Sequence, residues 1–234
     1  MDTRTRHALK KDSFAQAAAS GASWLSGHRS SVARWAISAG VVLVLVVGSL
    51  IFWSVRSAAA DRAIGAALDT YNAPLAEPGE PPEAGVFATA AERAKLANQQ
   101  FLAVAQEYGW LHQAAEARYF AGVTYVDLGQ TSAAEQELKQ AASSWNRNLA
   151  NLAKLALAGL YQQSGQSDQA ANLYNELIAK PSATVPATTA QLDLADLYAA
   201  QGKQEQARAL WARIRDTDKE GEAGAVAAQR LAAK

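Results

Sequence analysis

The sequence predicts an all-α protein: a single transmembrane helix, then an α-solenoid of stacked helix hairpins, closed by a C-terminal capping helix. Three observations carry that prediction. The chain is Ala-rich, half apolar and holds only six Pro in 234 residues, a composition that favours helices. One stretch, "WAISAGVVLVLVVGSLIFW" (35–53), runs 19 residues without a charge. Finally, "YFAGVTYVDLGQTSAAEQEL" (119–138) returns in register as "KLALAGLYQQSGQSDQAANLY" (154–174) and "LDLADLYAAQGKQEQARALW" (192–211).

The elements follow in chain order. Residues 1–34 form a basic head. Formal net charge is zero overall, yet residues 1–56 carry seven Lys/Arg against two acids and residues 57–234 carry fifteen against twenty. Asp12 is placed to cap a short helix there. The uncharged stretch, bounded by Arg34 and Arg56, assigns 35–55 to a transmembrane helix, because hydrocarbon about 30 Å thick needs about 20 apolar residues. Trp35 and Trp53 stand where amphipathic rings prefer the two interfaces. A cleaved signal peptide is the rival, with "SAAAD" (57–61) as a cleavage site. The apolar run, however, exceeds the roughly 7–15 residues of a signal peptide's apolar region, and a long segment precedes it. Arg4, Arg6, Lys10, Lys11, Arg29 and Arg34 outweigh Arg56 and Arg62 across the span, so the positive-inside rule keeps 1–34 in the cytoplasm and exports 57–234. The exported part contains no Asn-x-Ser/Thr sequon, which is compatible with a bacterial inner-membrane protein facing the periplasm.

Residues 57–112 read as a degenerate leading helix pair. Ile64, Leu68 and Tyr71 share one helical face, and Ala94, Ala97, Phe101, Val104 and Tyr108 mark another between Val86 and Tyr108. Between them, 73–85 packs four Pro and two Gly into thirteen residues, an extended loop. The repeats then occupy 113–215. Tyr125, Tyr161 and Tyr198 coincide; Gly129, Gly165 and Gly202 follow four residues later, then Ala134, Ala170 and Ala207, then the bulky Leu138, Tyr174 and Trp211. The period is 36 and then 37 residues. Each unit predicts two antiparallel helices, 113–128 with 132–144, 149–164 with 167–180, and 187–201 with 203–215. Gly supplies a left-handed C-cap between them, and Ser132 caps the second helix of the first pair. Pro181 and Pro186 punctuate the later pairs. Residues 219–234, with "EAGAVAAQRLAAK" (222–234), form the closing helix.

Catalytic chemistry has little to stand on. Cys is absent, which removes disulfides, thiolate ligands and a cysteine nucleophile. Of three His, His7 and His28 lie in the head and His112 stands alone in the exported part. No His-Glu-x2-His, Gly-x-Ser-x-Gly or phosphate-loop pattern occurs, so neither metal nor cofactor is expected. Asp193 and Asp196, one turn apart, read as a solvated helix face, as do Glu135 and Glu137. The Tyr series and Trp211 read as core packing. Trp145 follows a helix end, and Trp110 is the Trp expected to be exposed. The body lacks a basic stripe, which argues against nucleic acid.

The Tyr-x3-Gly-x4-Ala-x3-bulky spacing, with Gly122, Ala158 or Ala195 three residues before each Tyr, resembles the tetratricopeptide repeat. Its periods exceed the usual length of about 34 residues, and the early Trp of such repeats is missing. The layout of basic head, one span, leading pair, repeats and cap is similar to bacterial ancillary SecYEG translocon subunits and related membrane-anchored periplasmic repeat proteins. That resemblance implies a scaffold that binds proteins: the translocon, a periplasmic chaperone or client segments. It also implies a binding groove lined by the first helices, here Tyr119, Val123, Asp127, Leu155, Gln162, Leu192 and Asp196. The Lys/Asn/Arg clamp for C-terminal carboxylates is absent, so an extended or helical peptide with apolar anchors fits better. The alternative is a structural or assembly subunit of another inner-membrane or cell-envelope complex. There the span itself would make specific contacts, with Ala36 and Gly40 as a small-xxx-small patch.

Overall fold

Ala-rich segments lose little side-chain entropy on becoming helical, and their small residues let helices approach closely. The computed structural model describes residues 29–77, 79 and 83–233, and among these all regular structure is helical. The helix expected after Asp12 lies outside the described residues. The chain divides into two compact units that meet between Val55 and Arg56.

The first helix, α1 (Arg29–Tyr71), is the one among the described residues that is long and apolar enough to cross a membrane. The sequence reading separates a span at 35–55 from a helix beginning at 57. The structure runs both together, because no Pro or Gly interrupts Trp53–Asp61. Side chains along the apolar stretch of α1, including Val44, Leu50, Ile51 and both Trp35 and Trp53, are exposed.

The second unit begins with the remainder of α1. Its Ala60, Ile64 and Ala67 are buried in one core with Ala97, Phe101 and Val104 of α2 (Ala90–Glu107) and Ala117 and Ala121 of α3 (His112–Asp127). Phe101 stacks on Phe120 with ring centroids 5.2 Å apart. The buried Asn98 side chain donates to the Ala121 carbonyl and the Thr124 hydroxyl, at 3.0 and 2.9 Å, so its burial leaves these donors satisfied. Helix α2 starts at Ala90 rather than near Val86. The Thr89 hydroxyl accepts from the Glu92 N–H at 3.1 Å, and Thr89-x-x-Glu92 is a capping-box pattern. In the preceding loop, an isolated parallel bridge joins Leu75 to Phe87.

Three hairpins follow: α3 with α4 (Thr131–Ala142), α5 (Arg147–Gln163) with α6 (Ser167–Ala179), and α7 (Ala187–Ala200) with α8 (Gln204–Thr217). The Tyr-x3-Gly spacing has a direct physical meaning. Gly129, Gly165 and Gly202 take φ of 69°, 76° and 75°, the left-handed region that an L side chain disfavours. The next N–H in each case then bonds back to the Tyr carbonyl: Gln130 to Tyr125, Gln166 to Tyr161 and Lys203 to Tyr198, at 2.9, 2.8 and 2.9 Å. This is the Schellman closure of a helix end, repeated three times. Ser132 does not cap α4: the helix begins at Thr131 after Gln130, which makes no side-chain cap bond. Ala134, Ala170 and Ala207 are wholly buried, as are Leu138, Tyr174 and Trp211 to within 6%.

The closing helix α9 (Glu222–Ala232) packs on α8 and α7. Gly224 makes this possible, since a Cβ there would collide with the Asp218 carbonyl oxygen, while its N–H donates to the Asp218 carboxylate at 3.1 Å.

Candidate protein-binding face

Among the first helices α3 packs on α5, and the closing helix α9 lies against α7. Their outward-turned residues compose the face on which the seven sequence-derived candidates fall. Tyr119 is half-buried, edge-on to Phe120 at 5.1 Å between centroids, and its hydroxyl pKa is pushed up by burial. It lines a depression of about 240 Å³ between α3 and α5, together with Glu116, Leu149 and Leu152. Val123, one turn on, is half-buried, as is Leu155, which packs against the central core.

Leu192 lines a second depression of about 450 Å³, between α7 and α9, with Thr189, Asp193 and Glu222. The remaining candidates are engaged within the chain. Asp127 accepts a hydrogen bond from the Tyr71 hydroxyl at 2.8 Å; burial, then this carboxylate, pushes Tyr71 up to about 12. Gln162 accepts from the Tyr174 hydroxyl at 3.1 Å. Asp196 receives both guanidinium arms of Arg230 from α9, at 3.2 and 2.9 Å. The face therefore carries two shallow depressions, one with Tyr119, Phe120, Leu149 and Leu152 in its wall and one where Leu192 stands among the acidic Asp193, Asp218 and Glu222, and the polar candidates Asp127, Gln162 and Asp196 already have partners. Between Leu155 and Gln162, Gly159 leaves open space, with nothing within 4 Å of where a Cβ would stand.

Three residues of this face escaped the sequence reading. Glu116 and Leu152 lie one turn before Tyr119 and Leu155, so helical spacing alone identifies them. Burial, with Asp61 adding repulsion, raises the Glu116 pKa. Asp193 is different, and here the expectation of a solvated acidic pair fails. Burial, with Asp196 beside it, pushes the Asp193 carboxyl up to about 6. The burial arises where α7 meets Tyr174 and the α8–α9 connection, contacts that no local pattern reveals. The Tyr series is core, as expected: Tyr161 is buried and donates to Glu135 at 2.9 Å, while Tyr125 and Tyr198 pack against the central cluster.

Repeated hairpins with a Schellman glycine, a buried small residue and a facing bulky one amount to a family signature, and a family comparison agrees. A model for a tetratricopeptide repeat-like domain matches residues 32–231, taking in the apolar segment, all three hairpins and most of the closing helix. A search of curated proteins finds no match. Domains of this kind generally mediate protein–protein interactions. With the model covering most of its length, the chain belongs to the tetratricopeptide repeat-like domain family.

Proposed function

We propose that the chain is a membrane-tethered interaction scaffold, anchored by α1, whose repeat unit captures apolar peptide segments along the face of α3, α5 and α7. The observation that carries this reading is the pairing of two features in one helix. The helix with the membrane-length apolar stretch is also the helix that gives Ala60, Ile64 and Ala67 to the repeat core. A tether of this kind raises the local concentration of binding sites at the membrane without any new contact. The half-buried Tyr119, Leu152, Leu155 and Leu192 offer anchor points for an apolar segment, and the open Gly159 leaves room for its backbone. Charge asymmetry about the span supports a cytoplasmic N-terminus and a periplasmic repeat unit. The resemblance in layout to ancillary SecYEG subunits supports the translocon, its chaperones or its clients as the partner class.

Reporter fusions test the tether and its orientation. An enzyme that is active only in the periplasm is expected to work when fused after Lys234 and to be silent when fused before Met1. The reverse pattern, or activity at neither end, sinks the topology and the partner class with it.

A further inference from the structure

The depression between α3 and α5 combines an apolar wall with one carboxylate. Tyr119, Phe120, Leu149 and Leu152 supply the wall, and the half-buried Glu116 supplies the acid. Glu116 makes no hydrogen bond or ion pair among the described residues. Burial, and then the like charge of Asp61, disfavours its ionised form; His112, one turn earlier, opposes them as the smallest influence of the three. Taking water from a charge is costly unless an opposite charge replaces it. Glu116 therefore gains more from an incoming cation than a solvated carboxylate would.

The chain does not supply that cation itself. No Lys or Arg lines the depression. Arg118 of α3 pairs with Glu137 of α4 at 3.0 Å, and Lys154 of α5 pairs with Glu176 of α6 at 2.8 Å. Arg147, at the start of α5, lines neither depression of this face. The depression between α7 and α9 repeats the pattern. Leu192 and Val226 stand there with Asp193, Asp218 and Glu222, again without a Lys or Arg in the lining. Asp218 accepts from the Gly224 N–H, and Arg230 of α9 is engaged by Asp196.

From this charge pattern we infer that the segment captured on this face is basic as well as apolar, and that a Lys or Arg side chain enters the α3–α5 depression with its stem along Tyr119, Leu149 and Leu152 and its charged head at Glu116. Such side chains suit the lining because their methylene stems bury readily while the head keeps a polar partner. An acidic segment or a C-terminal carboxylate is rejected by the same lining, where it would meet Glu116 or Asp193 without a cation between them. The acidic α7–α9 depression extends the preference along the face. The inference rests on the reading of this face as the binding surface and adds the charge of what binds there.

A random peptide library displayed on phage tests it, panned against the full chain in nanodiscs of zwitterionic phosphatidylcholine. Depletion on empty nanodiscs first removes peptides that bind lipid. The recovered peptides should combine Lys or Arg with large apolar residues. A fluorescent copy of the most enriched one should bind the Glu116→Gln variant about tenfold more weakly than the parent. That variant should melt no lower than the parent, since burial already favours the neutral side chain. Replacing the basic residues of the peptide by Gln should cost the parent about tenfold and the variant little, the signature of a direct pair. Glu205→Gln, on the outer helix α8, should leave binding unchanged. Recovered peptides that are apolar or acidic, without enrichment of Lys or Arg, overturn the inference and spare the binding face. Basic peptides that lose equally to Gln in parent and variant, or that weaken as much with Glu205→Gln, overturn it too, because charge then acts without the depression. The absence of any enriched peptide removes the binding face and the inference together.

Discussion

A methyl group added at Gly122 would fall 2.6 Å from the Leu138 Cγ, inside a core where Leu138 has no exposed surface. The same methyl at Gly159 meets nothing within 4 Å. Both positions are helical, so alanine brings the same propensity gain of about 0.5–1 kcal/mol, and packing decides the sign. Gly159→Ala is expected to stabilise by that amount, whereas Gly122→Ala should lose about 1–3 kcal/mol to overpacking, less the propensity gain. Denaturant unfolding of the two variants checks this, and equal effects would refute the assigned geometry. The contrast was half legible in the sequence: Gly122 sits at the repeat position where Ala158 and Ala195 recur, which marks it as core. That Gly159 faces open space was not, since glycine in a helix looks the same from either side.

Asp193 gives a second prediction at this scale. Its folded pKa of about 6 stands above the ordinary value of 3.8, because burial and Asp196 disfavour the charged form. The folded state therefore holds the proton more tightly than the unfolded chain. The stability it brings is fully present below about pH 4 and is lost as pH rises through about 6. Asp193→Asn removes the titration, so the variant should melt above the parent at pH 8, with the margin closing as pH falls towards 4. A margin independent of pH would mean that the carboxyl is solvated, as its sequence context suggested.

At the scale of elements, helix ends were more legible where a backbone device sets them than where a side chain does. The three Schellman closures follow from Tyr-x3-Gly, because a left-handed residue at that offset leaves the chain little else to do. Ser132 failed as a cap because a cap depends on how the chain enters the helix, and Gln130 takes that place. The Thr89-x-x-Glu92 pattern was present to be read and fixes the start of α2. Helix α9 shows what local reading cannot reach. Its docking buries Ala227, shares the core of Ala195, Trp211 and Ile214, and clasps Asp196 through Arg230. That exposed ion pair contributes only about 0–1 kcal/mol, so the apolar contact dominates. Terminal repeats need such a cover to stay folded and soluble. Deleting 222–234 is thus expected to lower the melting temperature and raise aggregation well beyond Arg230→Ala, which should change the melting temperature little. A deletion as mild as the point substitution would show that α9 is not the cap.

On the scale of the whole molecule, the all-helical architecture, the apolar helix and the repeats were legible because each is written as a period or an uninterrupted run. The fastening of Arg56 to Glu107 was not, because it depends on residues about fifty positions apart meeting in space. The face of the first helices is where those long-range placements and the family's interaction role converge, and binding there is the central claim. A photocrosslinking scan of the full chain in bacterial membranes tests it most directly. The probe, p-benzoylphenylalanine, replaces Val123, Gly159 or Thr189 on the inner helices, or the exposed Gln136, Asn172 or Arg208 on α4, α6 and α8. Adducts to a common protein from all three inner positions and from none of the outer ones are predicted; adducts from the outer helices alone, or from no position, would contradict the claim.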